Sequence, residues 1–123
     1  MSGNRQKTGK VGEQKALLFL IEKNYKIINT NWRYQKCEID IIASKNEELI
    51  FIEVKTRTNS IIPQENLISI AQQKRITYAA DFYIKKNKID LIIRFDLIFV
   101  EKDLKSFKFT HFKEIFTPSI DST

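Results

Sequence analysis

At 123 residues, 42% of them hydrophobic and nine of them Phe, the chain holds material for one domain that buries roughly two thirds of its unfolded surface around a single core. No apolar run approaches the roughly 18 to 20 residues of a membrane span. The polar start MSGNRQKTGK leads into no signal segment, and the lone Cys37 excludes an internal disulfide or a cysteine-based zinc site, so a cytoplasmic protein is expected.

The net charge of +6, from 21 Lys and Arg against 15 Asp and Glu, fits an anionic partner, for which nucleic acid is the commonest choice in a small basic domain. Residues 1 to about 8, with Arg5, Lys7 and the nearby Lys10, read as a flexible basic arm able to track a phosphate backbone. TGKVGEQKALLFLIEK (8–23) carries Val11, Leu17, Leu18, Leu20 and Ile21 at helical spacing, with Thr8 as the N-cap. YKIINTNWRY (25–34), rich in aromatic and β-branched residues, predicts a first strand, and 37–44 and 48–57 predict two more around a turn at Lys45 to Glu48. TNSIIPQE (58–65) breaks the pattern at Pro63, and a second helix is predicted over 66–86 from Leu67, Ile70, Ala71, Ile76, Ala79, Ala80, Tyr83 and Ile84. DLIIRFDLIFVE (90–101) predicts a strand covered on both faces, LKSFKFTHF (104–112) an edge strand, and the tail from about 117 to 123 is expected to be disordered.

The order α-β-β-β-α-β-β makes the first three strands an antiparallel meander, and the helical connection after the third allows a parallel fourth strand. The expected fold is therefore α/β, a single domain with a mixed five-stranded sheet flanked by helices.

The hairpin CEIDIIASKNEELIFIEVKTR (37–57) carries the chemistry. With its turn centred between Asn46 and Glu47, opposed residue numbers sum to 93. Asp40 then faces Glu53, Glu38 faces Lys55, Ile42 faces Phe51 and Ser44 faces Leu49, with all eight on one face. The other face, Ile39, Ile41, Ala43, Ile50, Ile52 and Val54, is wholly apolar. Like charges directly opposite destabilise an antiparallel pair, and a cation between Asp40 and Glu53 removes that cost. Oxygen ligands suit a hard ion, Mg²⁺ or Mn²⁺, and Lys55 on the same face can hold a water and stabilise growing negative charge. A lone His111 and the lack of a Gly-rich phosphate loop leave little other catalytic machinery. The plain alternative for the Glu53-Val54-Lys55 run is a solvated rim salt bridge.

Asp40 followed by Glu53-Val54-Lys55 resembles the PD-(D/E)xK nuclease superfamily, whose fold is restriction-endonuclease-like. More narrowly, GEQKA (12–16), NWRY (31–34), CEIDIIA (37–43), FIEVKTR (51–57), QQKRITYAADFYI (72–84) and RFDLIFV (94–100) resemble the YraN-like family of small bacterial proteins, itself similar to archaeal Holliday junction resolvases. The resemblance implies Asp40 and Glu53 as metal ligands, the Val54 carbonyl as a backbone ligand and Lys55 as the catalytic lysine. It also implies that Glu13 binds the metal directly or through water, whereas by itself Glu13 reads as a first-turn carboxylate favoured by the helix dipole. Ile39 replaces the superfamily's proline, and Cys37 stands where related sequences usually have glycine.

Arg57, Gln73, Lys74 and Lys10 are candidate nucleic-acid contacts, each with a solvated-surface alternative. Trp32 and Tyr34 share a face as core or as a stacking platform, and Arg94 with Asp96 reads as a structural pair. The expected function is metal-dependent hydrolysis of phosphodiester bonds in DNA, including branched DNA, by a chain that can work as a homodimer. The alternatives are a nucleic-acid-binding or assembly module without significant turnover and, less well supported, a regulatory protein that binds a small anion or metal.

Overall fold

In the computed structural model, residues 2–58 and 67–118 are described, with side chains from residue 9 onward. The elements are α1 (Ser2–Glu22), β1 (Lys26–Tyr34), β2 (Cys37–Lys45), β3 (Glu48–Thr58), α2 (Ile70–Lys86), β4 (Ile92–Lys102) and β5 (Phe107–Phe112), the expected order. The strands form one sheet in spatial order β1-β2-β3-β4-β5. β1, β2 and β3 are antiparallel neighbours, β3 and β4 are parallel through the α2 crossover, and β5 returns antiparallel on β4.

Each helix covers one face, because alternation along the strands presents apolar residues to both sides. On the α1 side Ala16, Leu20, Tyr25, Ile41, Ala43, Ile50, Ile52, Ile98 and Val100 are buried together. On the α2 side Ile39, Ile42, Leu49, Phe51, Ile76, Ala79, Ala80, Tyr83, Phe95, Leu97 and Phe99 form the larger core. β4 is buried continuously from Phe95 to Val100, as expected of a strand covered twice.

Helix boundaries differ from expectation at both N-termini. α1 begins at Ser2, not Thr8, so the backbone of the presumed arm is helical. α2 begins at Ile70, where Ser69 Oγ accepts the Gln72 amide at 3.1 Å and caps the first turn. Leu67 and Ile68 precede that cap and pack on the core as non-helical chain. Of the expected tail, residues 119–123 lie outside the described residues. Phe116, just before it, stacks on Phe95 at 4.7 Å.

Arg94 and Asp96 form the expected pair within a larger network. Asp96, 1% exposed, accepts Arg94 Nε at 2.9 Å and Nη2 at 2.8 Å, and the Glu114 amide at 3.0 Å, with His111 Nε2 2.7 Å away. Arg94 also reaches Glu48 Oε1 at 3.2 Å and the Tyr25 hydroxyl at 3.1 Å. Burial pushes the Asp96 carboxyl up, but His111, Arg94 and the Glu114 amide outweigh it and leave it below the ordinary value. No helix among the described residues is long and apolar enough to cross a membrane.

Candidate metal and nucleic-acid site

The β2–β3 hairpin has the expected register over part of its length. Ile41↔Ile52, Ile42↔Phe51, Ala43↔Ile50, Ser44↔Leu49 and Lys45↔Glu48 pair around a two-residue turn, Asn46 at φ 52° and Glu47 at φ 64°. The ladder then stops. β3 goes on pairing with β4 as far as Thr58↔Lys102, while β2 stays with β1. Asp40 sits in the split, its Oδ2 accepting the Val54 amide at 2.8 Å, so a side chain replaces a ladder bond.

On β1 the corresponding residue, Asn31, has φ 50°, and neither it nor Asp40 belongs to the ladder, though Thr30↔Ile41 and Trp32↔Ile39 flank them in unchanged register. Side-chain alternation slips here. Ile39 joins Ile42 in the α2-side core, while Glu38 and Asp40 line a cleft beside α1. The expectation of eight residues on one face, with Asp40 opposite Glu53 and Glu38 opposite Lys55 in the ladder, is therefore corrected. The carboxylates meet across a strand separation.

The cleft, about 740 Å³, is lined by Lys10, Glu13, Gln14, Arg33, Glu38 and Asp40 among others. Gly12 brings Glu13 there: a Cβ at Gly12 would overlap Thr56 Oγ1 and lie 2.9 Å from its Cβ and Cγ2, so only glycine lets α1 approach β3 this closely. Glu53 is 9% exposed, and its Oε1 has no hydrogen-bond partner among the described residues. Burial, then the Asp40 charge, pushes the Glu53 carboxyl up to about 9. Burial raises Asp40 to about 6 against the lowering effect of the Val54 amide, with Glu38 adding repulsion. Glu13 rises to about 7 through burial, then Asp40 and Glu38, partly offset by Lys10. Three carboxyls are thus held above their ordinary range by burial and by one another, although Lys10 faces Glu13 and Arg33 bridges Glu38 at 3.6 Å.

Lys55 Nζ donates to the Leu67 carbonyl just before α2, and burial, followed by the Arg57 charge, lowers its pKa. Arg57 Nη1 donates to the Thr56 carbonyl at 2.8 Å, and Gln73 Nε2 to the Ile68 carbonyl at 3.1 Å, so Gln73 ties down the chain that holds Lys55. Lys74 lines a separate groove with Ile70, Thr77, Tyr78 and Phe116, away from the carboxylates. The sequence reading placed Glu38 on the face of Asp40 but gave it no role in the site, and it missed the Gly12–Thr56 contact. A glycine inside a helix, next to a carboxylate, was the available signal for the latter.

Among the described residues no three His, Cys, Asp or Glu side chains gather tightly enough to hold a metal by themselves. The donor set instead suits a hard ion that takes one or two carboxylates and fills its shell with a backbone carbonyl and water. The partnerless, buried Glu53 Oε1 beside Asp40 is the observation that fits such an ion.

The profile of a family described as "Uncharacterised protein family UPF0102" matches residues 12–102. A UPF0102 protein of Bacteroides thetaiotaomicron is 42% identical over 113 residues, covering 91% of this chain and 93% of its own. One from Flavobacterium psychrophilum is 42% identical over 109 residues, covering 88% and 92%. Among solved structures, a Holliday junction resolvase of Archaeoglobus fulgidus overlays with a TM-score of 0.49 at 19% identity, over 82% of this chain and 72% of that one.

Proposed function

The chain belongs to the UPF0102 family, and from its split hairpin we propose that it is a divalent-metal-dependent nuclease that hydrolyses phosphodiester bonds in DNA, branched DNA included. The observation that carries this reading is the buried Asp40–Glu53 pair, in which one carboxyl is pushed up to about 9 by burial and by the other, and an oxygen has no partner. The resemblance of Asp40 with Glu53-Val54-Lys55 to the PD-(D/E)xK pattern supports it.

Asp40, Glu53 and the Val54 carbonyl would hold the ion, Mg²⁺ or Mn²⁺, with Glu13 joining directly or through water. When bound, such an ion supplies positive charge to the scissile phosphate and eases deprotonation of a nearby water. Asp40, already fixed by the Val54 amide, orients the site without needing to reorganise. Lys55, its pKa lowered by burial, is placed to hand a proton on or to stabilise charge building on the phosphate. Lys10 and Arg33 on the cleft rim, and Arg57 beyond Lys55, supply the positive surface along which a phosphate backbone can run.

A second reading, nucleic-acid binding without turnover, has one observation in its favour: Lys55 and Asp40 are both engaged by backbone groups of the chain itself. Cleavage of linear, flapped and four-way-junction DNA with Mg²⁺ or Mn²⁺ separates the two. The nuclease reading expects metal-dependent products that Asp40→Asn, Glu53→Gln and Lys55→Ala each reduce by at least about a hundredfold. Activity surviving all three substitutions would sink the site, and tight binding with no cleavage under either metal would favour the binding module.

A further inference from the structure

The flank of α2 beside the edge strand β1 carries a ledge of aromatic rings that the catalytic reading does not use. Tyr34 stacks on Phe82 with centroids 3.8 Å apart and planes 10° from parallel. Trp32 stacks on Phe82 at 6.3 Å and lies edge-on to Tyr83 at 5.2 Å, and Tyr78 tilts against Tyr34 at 5.5 Å. Rings serving only as core would be buried as Tyr83 is, at 6% exposed, yet Trp32, Tyr34 and Phe82 are only half-buried and Tyr78 is 53% exposed.

The ledge has a charge pattern as well. Arg75, Tyr78, Phe82 and Lys86 recur at i, i+3, i+7 and i+11, so they share one stripe of α2, and Lys86 Nζ lies 5.9 Å over the Phe82 ring. Lys36 stands in the turn that follows Tyr34. The acidic residue of this part of the helix, Asp81, is bridged to Lys85 at 2.9 Å. Trp32 pairs with Ile39, the neighbour of Asp40, so the ledge starts level with the hairpin split along β1, on the α2 face of the sheet and opposite the cleft beside α1.

We propose that this ledge binds an unpaired strand of nucleic acid, its bases stacking on the exposed ring of Tyr78 and the half-buried ring of Tyr34 while Arg75, Lys86 and Lys36 meet its phosphates. Resting on the nuclease reading, the inference narrows the substrate to DNA that carries a single-stranded segment. Rings interleaved with cations are what single-strand binding uses, because every base has a π-face and every nucleotide a phosphate. An apolar partner surface would have no use for the flanking cations.

Trp32 is the chain's single tryptophan, so its emission reports on the ledge directly. The full chain, without divalent cations, would be titrated with a 15-nucleotide oligo-dT strand and with a 15-base-pair duplex. Saturable quenching by the single strand is expected, with weaker binding and no quenching by the duplex. Tyr78→Ala, at an exposed ring, should keep the wild-type circular dichroism and weaken single-strand binding about tenfold. Arg75→Glu should weaken it and flatten its salt dependence. Binding without quenching, or affinity unmoved by both substitutions, would overturn the proposal. So would a Tyr78→Ala variant that turns a dimer into a monomer in sedimentation while binding the strand as before, which would give the ledge to a second copy. Because the titration needs no metal and no cleavage, quenching by a protein that cuts nothing would uphold the ledge while removing the nuclease reading.

Discussion

At the residue scale, the proposed chemistry rests on carboxyls whose protons the fold holds more tightly than the unfolded chain does. For Glu53 the ordinary value of 4.5 becomes about 9 on folding, and for Asp40 3.8 becomes about 6. A raised acid pKa means that the folded state binds the proton better than the unfolded chain does, so its stabilising contribution is complete below the ordinary value and is lost as pH rises through the folded one. Metal-free protein is therefore expected to lose thermal stability from about pH 4 to about pH 9, the last part through Glu53, measured by calorimetry. Glu53→Gln should flatten that decline and, near pH 9, raise metal-free stability by about 1 to 2 kcal/mol, as removing a functional charge often does. Gly12 acts through Glu13: Gly12→Ala gains about 1 kcal/mol of helix propensity but loses about 1 to 3 to overpacking against Thr56. Denaturant unfolding should show net destabilisation, and cleavage should fall as α1 is lifted from the cleft. Residue type and spacing singled out Asp40, Glu53 and Lys55 as candidates, and only the family resemblance added Glu13. Glu38 was placed on the face of Asp40; what the apolar pattern conceals is the slip in alternation that turns both toward the cleft beside α1.

At the element scale, the hairpin register was readable because Ile39 to Ala43 and Leu49 to Val54 leave a two-residue turn few alternatives. The end of the ladder was not readable. It depends on Asp40 taking the Val54 amide and on Asn31 entering positive φ, neither of which period-2 patterning encodes. Both turn residues, Asn46 and Glu47, also have positive φ, which Asn tolerates and Glu does not. Left-handed backbone costs a non-glycine residue roughly 1 to 2 kcal/mol, and glycine gives back roughly 0.5 to 1 through unfolded-state entropy. Glu47→Gly should therefore stabilise the protein by about 0.5 to 1 kcal/mol in denaturant titrations and leave cleavage unchanged, since the turn lies at the far end of the hairpin from Asp40. The start of α2 was misplaced by four residues because Leu67 and Ile68 continue the apolar pattern, while the cap that sets the boundary is Ser69.

At the scale of the whole molecule, two helices on opposite faces of a five-stranded sheet put stability and chemistry in different places. The element order predicted that architecture because a meander and one helical crossover admit few sheets. Toward the hairpin turn, Arg94, Asp96, Glu48, Tyr25 and His111 form a satisfied polar network on the α1 side. Asp96→Asn would leave the Arg94 guanidinium without its main partner and should cost about 3 kcal/mol or more, read from the midpoint of chemical unfolding, with the activity of the folded fraction unchanged. At the split end the balance is reversed, since burial and mutual repulsion raise the Glu53, Asp40 and Glu13 carboxyls, which the proposed nuclease would complete with a cation. The most direct test of that claim is calorimetric titration of Mn²⁺ into the metal-free protein at pH 8, in buffers of different ionisation enthalpy. The account predicts a saturable site, release of about one proton as the Glu53 carboxyl gives up its hydrogen, and loss of both in Glu53→Gln. Binding unchanged by that substitution, or no binding at all, would contradict it.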